Sequence, residues 1–560
     1  MMKKNLSTFF IALLAAVSLR GAEMPVERLF VSTDREAYIA GDNVWCSLFC
    51  LDGEGKRSSQ SAVSYLELIS AEGTVVEAKI GLLDGRGAGS FRIPVSVPTG
   101  VYRLIAYTSA NVNEEGTPWM AGSRILTIFN TLSTDRVKGG YKIVDDATYN
   151  SMSRAAQPSA GGLVFNSTAR VRKGADVGIL IQNGGPMADL SFSIYHEDAV
   201  VPAPQDNSIT SFLGSLPESA HPKFTGNRPL EYDGEIISAR ISGKVADESE
   251  FSVATLSSAG APSNLYIGVT DNDRVRFMTN NIYGNREIVC EASMLDDEKG
   301  VIEFENPFIY PSPGELPKVT LNKSQYGDIA ARKIALRAER PLRLDTLTTM
   351  LRHREDLLLE SSPLRRYHLD DYTRFPSVKE ILVEIIPILN LHRENGKYSM
   401  RITVTDGTEA YRTRVGNLLV MMDGVVLTDL DMLLGFDAML IEDVDVYQQA
   451  VVCGQVSYSG IANFITKKNY VTALTFPANV RVVDFKGVSY PVAYYGEVPE
   501  GEGDDLRQTL YWDPSMRIEA GGQKRVKFHA PGYAGRFRTV ADGIAADGTP
   551  IHQEWTFEVE

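Results

Sequence analysis

"GSFRIPVSVPTGVYRLIAYT", residues 89–108, alternates apolar and polar positions, breaks at Pro98 and Gly100, and resumes as the apolar run "VYRLIAY". A period of two marks a half-buried strand, and Pro and Gly punctuate turns. Short alternating runs separated by Gly, Pro and Asp extend from Val26 to about Asn130. The "GRGAG" at 85–89 is followed by strand rather than by a helix, so it reads as a hairpin tip and not as a phosphate loop. Antiparallel β structure is therefore expected over residues 23–135.

The chain has 560 residues, well beyond the roughly 250–300 at which a single core stops growing, so four or five domains are expected. Hydrophobic residues make up 44% and charged residues 23%, as in ordinary globular domains. A formal net charge of -15 without a basic cluster argues against nucleic acid and anionic lipid as partners, because both need Lys and Arg to offset phosphate. The opening "MMKKNLSTFFIALLAAVSLRGAEMP" has two Lys, an apolar run from Leu6 to Leu19 and then small residues, the order of an export signal. The run is shorter than the about 20 residues of a membrane span. Residues 1–22 are expected to be a signal peptide, with cleavage after Ser18 or Ala22. Sec export to the periplasm, outer membrane or cell surface follows, with peripheral rather than integral membrane association. Four cysteines remain, Cys46, Cys50, Cys290 and Cys453. Cys46 and Cys50 share one strand at a separation of about 13 Å, too far for a disulfide to join them. Other pairings stay open, and small apolar core residues are the expectation for all four.

Residues 136–162 read as a linker broken by Pro158. Strand patterning returns over 163–230, where residues 202–230, rich in Pro, Ser and Asn, read as a long loop. Residues 231–315 form a further β module in which "TDNDR" is a turn. Its Asp271 and Asp273 lack the Gly and the distant Glu of a calcium loop. Residues 325–470 change character. Ser377 followed by Glu380 has capping-box spacing, Val378, Ile381, Leu382 and Ile385 fall on one helical face, and Pro387 ends the pattern. "KYSMRITVTDG" is a strand, Asp423-Gly424 a hairpin turn, "DMLLGFDAML" a short helix, and "IEDVDVYQ" and "ANFITKK" are strands, so a small α/β domain is expected. Residues 471–560 return to β alternation as a C-terminal sandwich segment.

Several of these stretches resemble known families. "STDREAYIAGDNVWCSLFCLD", residues 32–52, resembles the opening of a macroglobulin-type β-sandwich, with Tyr38 ahead of Gly41 and Trp45 starting the next strand. Pro98, Gly100 and Tyr102 match the same type of domain, and the tail from "YWDP" onward is similar to it. Residues 231–315 resemble an Ig-like or carboxypeptidase-regulatory-like module. Residues 325–470 resemble the plug domain of TonB-dependent outer-membrane receptors through Asp423 and Gly424, through Ile441, Glu442 and Val446, and through Gly460, Asn463 and Thr466. A receptor barrel of about 22 strands would need well over 200 residues, and fewer follow Lys468 here, so a plug-like domain without a barrel is expected. The combination resembles a group of exported proteins of diderm bacteria for which no catalysis is assigned. The macroglobulin resemblance also suggests a thioester, built in that family as Cys-Gly-x-Gln. The run Cys453-Gly454-Gln455-Val456 misses that spacing by one residue.

Local catalytic motifs are missing as well. His196, His221, His353, His368, His392, His529 and His552 are scattered without the spacing of a zinc site. No Gly-x-Ser-x-Gly elbow occurs, and Glu355, Asp356, Asp370 and Asp371 sit in polar runs. Tyr494 and Tyr495 are candidates for aromatic binding or for cross-strand pairing. No catalytic, cofactor-binding or metal residue is assigned. The expected fold class is mainly β and multidomain, with tandem antiparallel sandwiches plus one α/β domain. The expected role is a non-enzymatic scaffold, adhesion or accessory binding protein with a protein partner in the envelope, such as an outer-membrane receptor. The alternatives are a macroglobulin-related, protease-interacting protein without a thioester, and an unrecognised hydrolase.

Overall fold

The computed structural model describes residues 27–560 apart from 114–115, 132–140, 146, 149–160, 198–206, 217–228, 245–253, 261–263, 281, 297, 323–347, 351–362, 395, 406–410, 414–415, 417, 428, 449, 454–455 and 495–504. The proposed signal peptide and most of the 136–162 linker lie outside the described residues, as do His221, His353, Glu355, Asp356 and Tyr495. The chain divides into two units, and the fold is mainly β in both. The first comprises Met1–Tyr232, Ile309–Met350 and Val492–Glu560, and the second Asp233–Phe308 and Leu351–Pro491.

The first unit holds two sandwiches. In the N-terminal one, a sheet of Arg28–Thr33, Asn43–Leu51 and Arg86–Arg92 faces a sheet ordered Ala37–Ile39, Gly122–Phe129, Gly100–Tyr107, Val63–Ser70 and Gly73–Gly81. Alternation puts Leu66, Leu68, Leu104 and Leu126 inward against Val44, Leu48 and Phe91. Cys46 and Cys50 are buried and unpaired on the Asn43–Leu51 strand, and Cys290 is buried and unpaired in the second unit. The hairpin tip sits at Asp84-Gly85, both at positive φ. Gly87 and Gly89 lie beyond it within the strand, where a side chain would strike Gly81 O or Ile80.

The second sandwich corrects the sequence reading. The 163–230 block and the 471–560 segment, read as separate, build one core: Ala188–His196 lies between Thr509–Ile518 and Gly535–Ala545, antiparallel to both. Asp176–Asn183 pairs with Gln523–His529 on the opposing sheet. Phe192, Ile194, Met516, Phe537 and Phe557 fill the space between the sheets. A second correction concerns the expected 202–230 loop, which contains the helix Ile209–Ser215. Ser208 caps it by accepting from the Ser211 N–H at 3.1 Å. Its Ile209, Phe212 and Leu213 pack on Phe30, Phe49 and Ile544, so tertiary burial outweighs a composition that favours loop.

In the second unit, the expected β module pairs Asn285–Ala292 with Val480–Lys486. Residues 480–486 therefore complete this module rather than the C-terminal sandwich segment to which the sequence reading gave them. The "TDNDR" turn joins Val269–Asp271 to Arg274–Met278. The α/β module has a sheet ordered Arg365–His368, Ile441–Tyr447, Ile461–Thr466, Leu419–Met422 and Val425–Val426. Its helix Val378–Glu384 begins in the expected capping box at Ser377 and Glu380 and buries Val378, Ile381 and Leu382. A shorter helix, Leu430–Leu434, is capped by Asp429. Both helices pack on one face of the sheet. Leu265 and Ile267 of the β module pack against Leu419, Met421 and Ile461. Among the described residues no helix is long and apolar enough to cross a membrane.

Candidate functional site

A cleft with a volume of about 760 Å³ lies in the first unit, inside the range usual for ligand sites. Its floor is Arg103 and Ile105 of one strand with Gly122 and Ser123 of the next. One wall is the capped helix, contributing Ser208, Ser211, Phe212 and Ser215. The other wall is the extended segment Ile309–Gly314. Pro311 and Pro313 keep that segment out of helix and sheet.

Arg103 fixes the segment to the floor. Its Nε donates to Pro313 O at 2.5 Å and its Nη2 to Glu315 O at 3.1 Å, while Nη1 donates to Ser123 Oγ at 2.9 Å. Burial lowers its pKa, and the guanidinium compensates through these three bonds. Tyr310 is 53% exposed and has φ 49°, a left-handed conformation uncommon for a bulky residue. It is held by the buried Glu67, whose Oε1 accepts from the Ile309 N–H at 3.2 Å and the Tyr310 N–H at 3.1 Å. The sequence reading missed this site. Its one local signal is the Tyr-Pro-Ser-Pro-Gly run at 310–314, which marks an extended segment but not its location.

The residues singled out between 423 and 466 converge. Asp423 and Gly424 have φ 49° and 82°, the paired positive values of a tight hairpin turn. The buried Asp423 carboxylate accepts from Thr466 N–H and Thr466 Oγ1–H, both at 2.7 Å, and from Val471 N–H at 3.2 Å. Asn463 Oδ1 accepts from Gly424 N–H at 3.1 Å. Gly460 passes so close to the neighbouring strand that a Cβ would lie 2.5 Å from Tyr447 O. Ile441 and Val446 are buried, and Glu442 is half-buried away from the carboxylate network. Four of the eight markers thus form one polar lock that ties the turn to the strand beside it.

The markers in the N-terminal sandwich also carry structure. Tyr38 Oη donates to Asp34 Oδ1 at 2.7 Å, and Asp34 Oδ2 accepts from Thr509 Oγ1–H at 2.6 Å. Burial pushes the Asp34 carboxyl up, opposed by Arg35 and by the Thr509, Tyr38 and Trp45 donors. Gly41 has φ 103°, and the Trp45 ring lies 5.6 Å from that of Trp512. Tyr102 Oη donates to Pro98 O at 2.6 Å, which closes the turn that Pro98 and Gly100 make. Burial, and then the charge of Glu72, raise the Tyr102 hydroxyl to about 12. Tyr102→Phe is expected to lower stability by about 1 kcal/mol, read as a shifted urea midpoint with unchanged slope.

Ionisable side chains mostly hold strands together. His552, scattered from the other histidines in sequence, is 3% exposed. Its Nδ1 is 2.7 Å from Asp542 Oδ1 and its Nε2 is 3.3 Å from Glu554 Oε1. Arg538 bridges Glu554 and Glu197, each at 2.6 Å. His368 pairs with Asp443 across two strands at 2.7 Å. Among the described residues no three His, Cys, Asp or Glu side chains converge in a way that could hold a metal ion.

No family model matches the chain, and no curated protein matches it. Among solved structures, the alpha-2-macroglobulin of E. coli in its native conformation is 9% identical over 95% of this chain and 40% of its own, with a TM-score of 0.24. A tetra-tandem repeat from the extending region of a large adhesion protein is 9% identical over 96% of this chain and 100% of its own, with a TM-score of 0.15. The adhesin InvE of Yersinia pseudotuberculosis is 12% identical over 51% of this chain and 61% of its own, with a TM-score of 0.13. The chain spans about two fifths of the macroglobulin's length. At these identities and TM-scores none of the three carries an argument about activity.

Proposed function

We propose that the chain is a non-enzymatic, exported cell-envelope protein that serves as a scaffold or adhesion component and grips a segment of a partner protein in the Arg103–Tyr310 cleft. The observation that carries this reading is the cleft itself, which is open, rich in hydroxyls and walled by a segment held in place at both Glu67 and Arg103. A floor that already holds an extended chain through its carbonyls has the chemistry to hold a second one beside it. Among the described residues His368 and His552 pair with carboxylates on neighbouring strands, in keeping with a structural role for both. The plug-like residues from Asp423 to Thr466 support an association with the outer membrane or a TonB-linked uptake system.

Affinity capture from envelope extracts tests the reading. Ser211→Trp fills the cleft without touching the Arg103 or Glu67 bonds. The unaltered chain is expected to retain a partner that the variant retains at least about tenfold less. Equal retention by both, or no partner for either, would count against the cleft. Fractionation combined with surface-protease accessibility assigns the compartment, and hydrolysis of glycans or peptides by the purified chain would overturn the non-enzymatic reading.

A further inference from the structure

The chain leaves the first unit twice, after Tyr232 and after Met350, and returns at Ile309 and Val492. The first unit fastens all four ends, two by two. Tyr65 and Tyr107 are partners on adjacent strands, and their rings stack at 5.6 Å and 21°. Tyr65 Oη donates to Glu231 Oε1 at 2.7 Å, Ser109 Oγ donates to Glu231 Oε2 at 3.1 Å, and Ala62 N–H donates to Glu231 O at 2.7 Å. On the returning side, Tyr107 Oη donates to Glu67 Oε1 at 2.8 Å, and the same oxygen accepts from Ile309 and Tyr310 N–H. One stacked tyrosine pair thus anchors the departing segment through Glu231 and the returning segment through Glu67. All four side chains are at most 3% exposed. At the second crossing the ends pair directly, since Thr348, Thr349 and Met350 are antiparallel partners of Tyr494, Ala493 and Val492.

We infer that these two fastenings are clamps that let the first unit keep its structure whatever happens to the segments carried between them. An unclamped crossing frays when the inserted chain unfolds, because its ends gain the freedom of a long loop. A clamped crossing keeps its ends in register and confines the disorder to the insert. For a chain that binds a partner through the first unit, the second unit can yield without release of the cleft wall, since Ile309–Gly314 begins at the tyrosine clamp.

Amide hydrogen exchange on the full chain reads both units at once. Phe464→Ala empties a fully buried position of the second unit. It is expected to raise exchange in the Leu419–Met422 and Ile441–Tyr447 strands by about a hundredfold. The Val63–Ser70 and Gly535–Ala545 strands are expected to stay within about threefold of the unaltered chain. Adding Glu67→Ala, which removes the shared acceptor, is expected to expose the Ile309 and Tyr310 amides and to let exchange in Val63–Ser70 rise with that of the second unit. First-unit strands that already follow Phe464→Ala alone, or a double variant identical to the single one, would overturn the inference. If Phe464→Ala is not recovered folded, exchange of the unaltered chain in rising urea makes the same comparison. Two separately opening sets of amides, one per unit, support the clamps, and a single set refutes them.

Discussion

Asp423→Ala is expected to lower the unfolding free energy of the second unit by about 3–5 kcal/mol. The size follows from what the substitution leaves behind. Asp423 is 4% exposed, and its two oxygens accept from Thr466 N–H, Thr466 Oγ1–H and Val471 N–H. Alanine removes every acceptor while the donors stay buried, and each unsatisfied donor costs about 1–3 kcal/mol. Alanine is also strained at φ 49°, where aspartate is better tolerated. Asp423→Asn keeps one carbonyl oxygen and should lose about half as much. The measurement is simplified by a feature of the sequence: all four tryptophans, Trp45, Trp119, Trp512 and Trp555, belong to the first unit. Urea unfolding followed by circular dichroism should show the shift, while tryptophan fluorescence should not. A shift of less than about 1 kcal/mol, or an equal shift in fluorescence, would show that the lock is not what holds the turn.

Alkaline pH should weaken the first unit, and His552 should be the reason. Burial disfavours the charged imidazole, but the Asp542 charge, the hydrogen bonds to Asp542 and Glu554 and the Glu554 charge outweigh it, and the group rises from 6.5 to about 10. A raised cationic group stabilises the folded state fully below its unfolded pKa of 6.5 and ceases to do so as pH climbs through about 10. The displacement corresponds to roughly 5 kcal/mol, lost between near-neutral and strongly alkaline pH. His552→Gln should be less stable at pH 6 and should flatten the decline monitored by tryptophan fluorescence. The same slope in the variant would assign the alkaline sensitivity to other groups.

What the sequence disclosed and what it withheld divide along physical lines. Features encoded within a few residues were legible: the Ser377–Glu380 capping box, the Asp423-Gly424 turn and the buried strand from Gly100 to Tyr107 all occur as expected. Strand partners were not legible, because alternation says which face of a strand is buried and not which strand lies beside it. That is why 188–196 and 509–545 read as separate segments although they share a sheet. The candidate cleft was illegible for the same reason. Arg103, the helix at 209–215 and the segment at 309–314 meet only through the tertiary structure. Glu67 in "VSYLELIS" looks like an ordinary outward strand residue until the returning chain lays two N–H groups on it. His552 in "TPIHQEW" has Glu554 two residues along its own strand, but acquires Asp542 only when the Gly535–Ala545 and Pro550–Val559 strands pair.

The strand order of the second sandwich sets a timetable. Ala188–His196 is made early but rests between strands near the end of the chain, and its neighbour Glu197 meets Arg538 from 341 positions away. All the strands of the second unit precede Pro491, so that unit has its full set while the last strands of the first are still to come. Closing so long a loop is slow, and until the final hairpin arrives an apolar strand bearing Leu190, Phe192 and Ile194 stands without its central partners. A chain with this order is most vulnerable to aggregation while residues 509–545 are still to come. Loss of the Gly535–Ala545 and Pro550–Val559 strands should therefore damage the first unit more than the second.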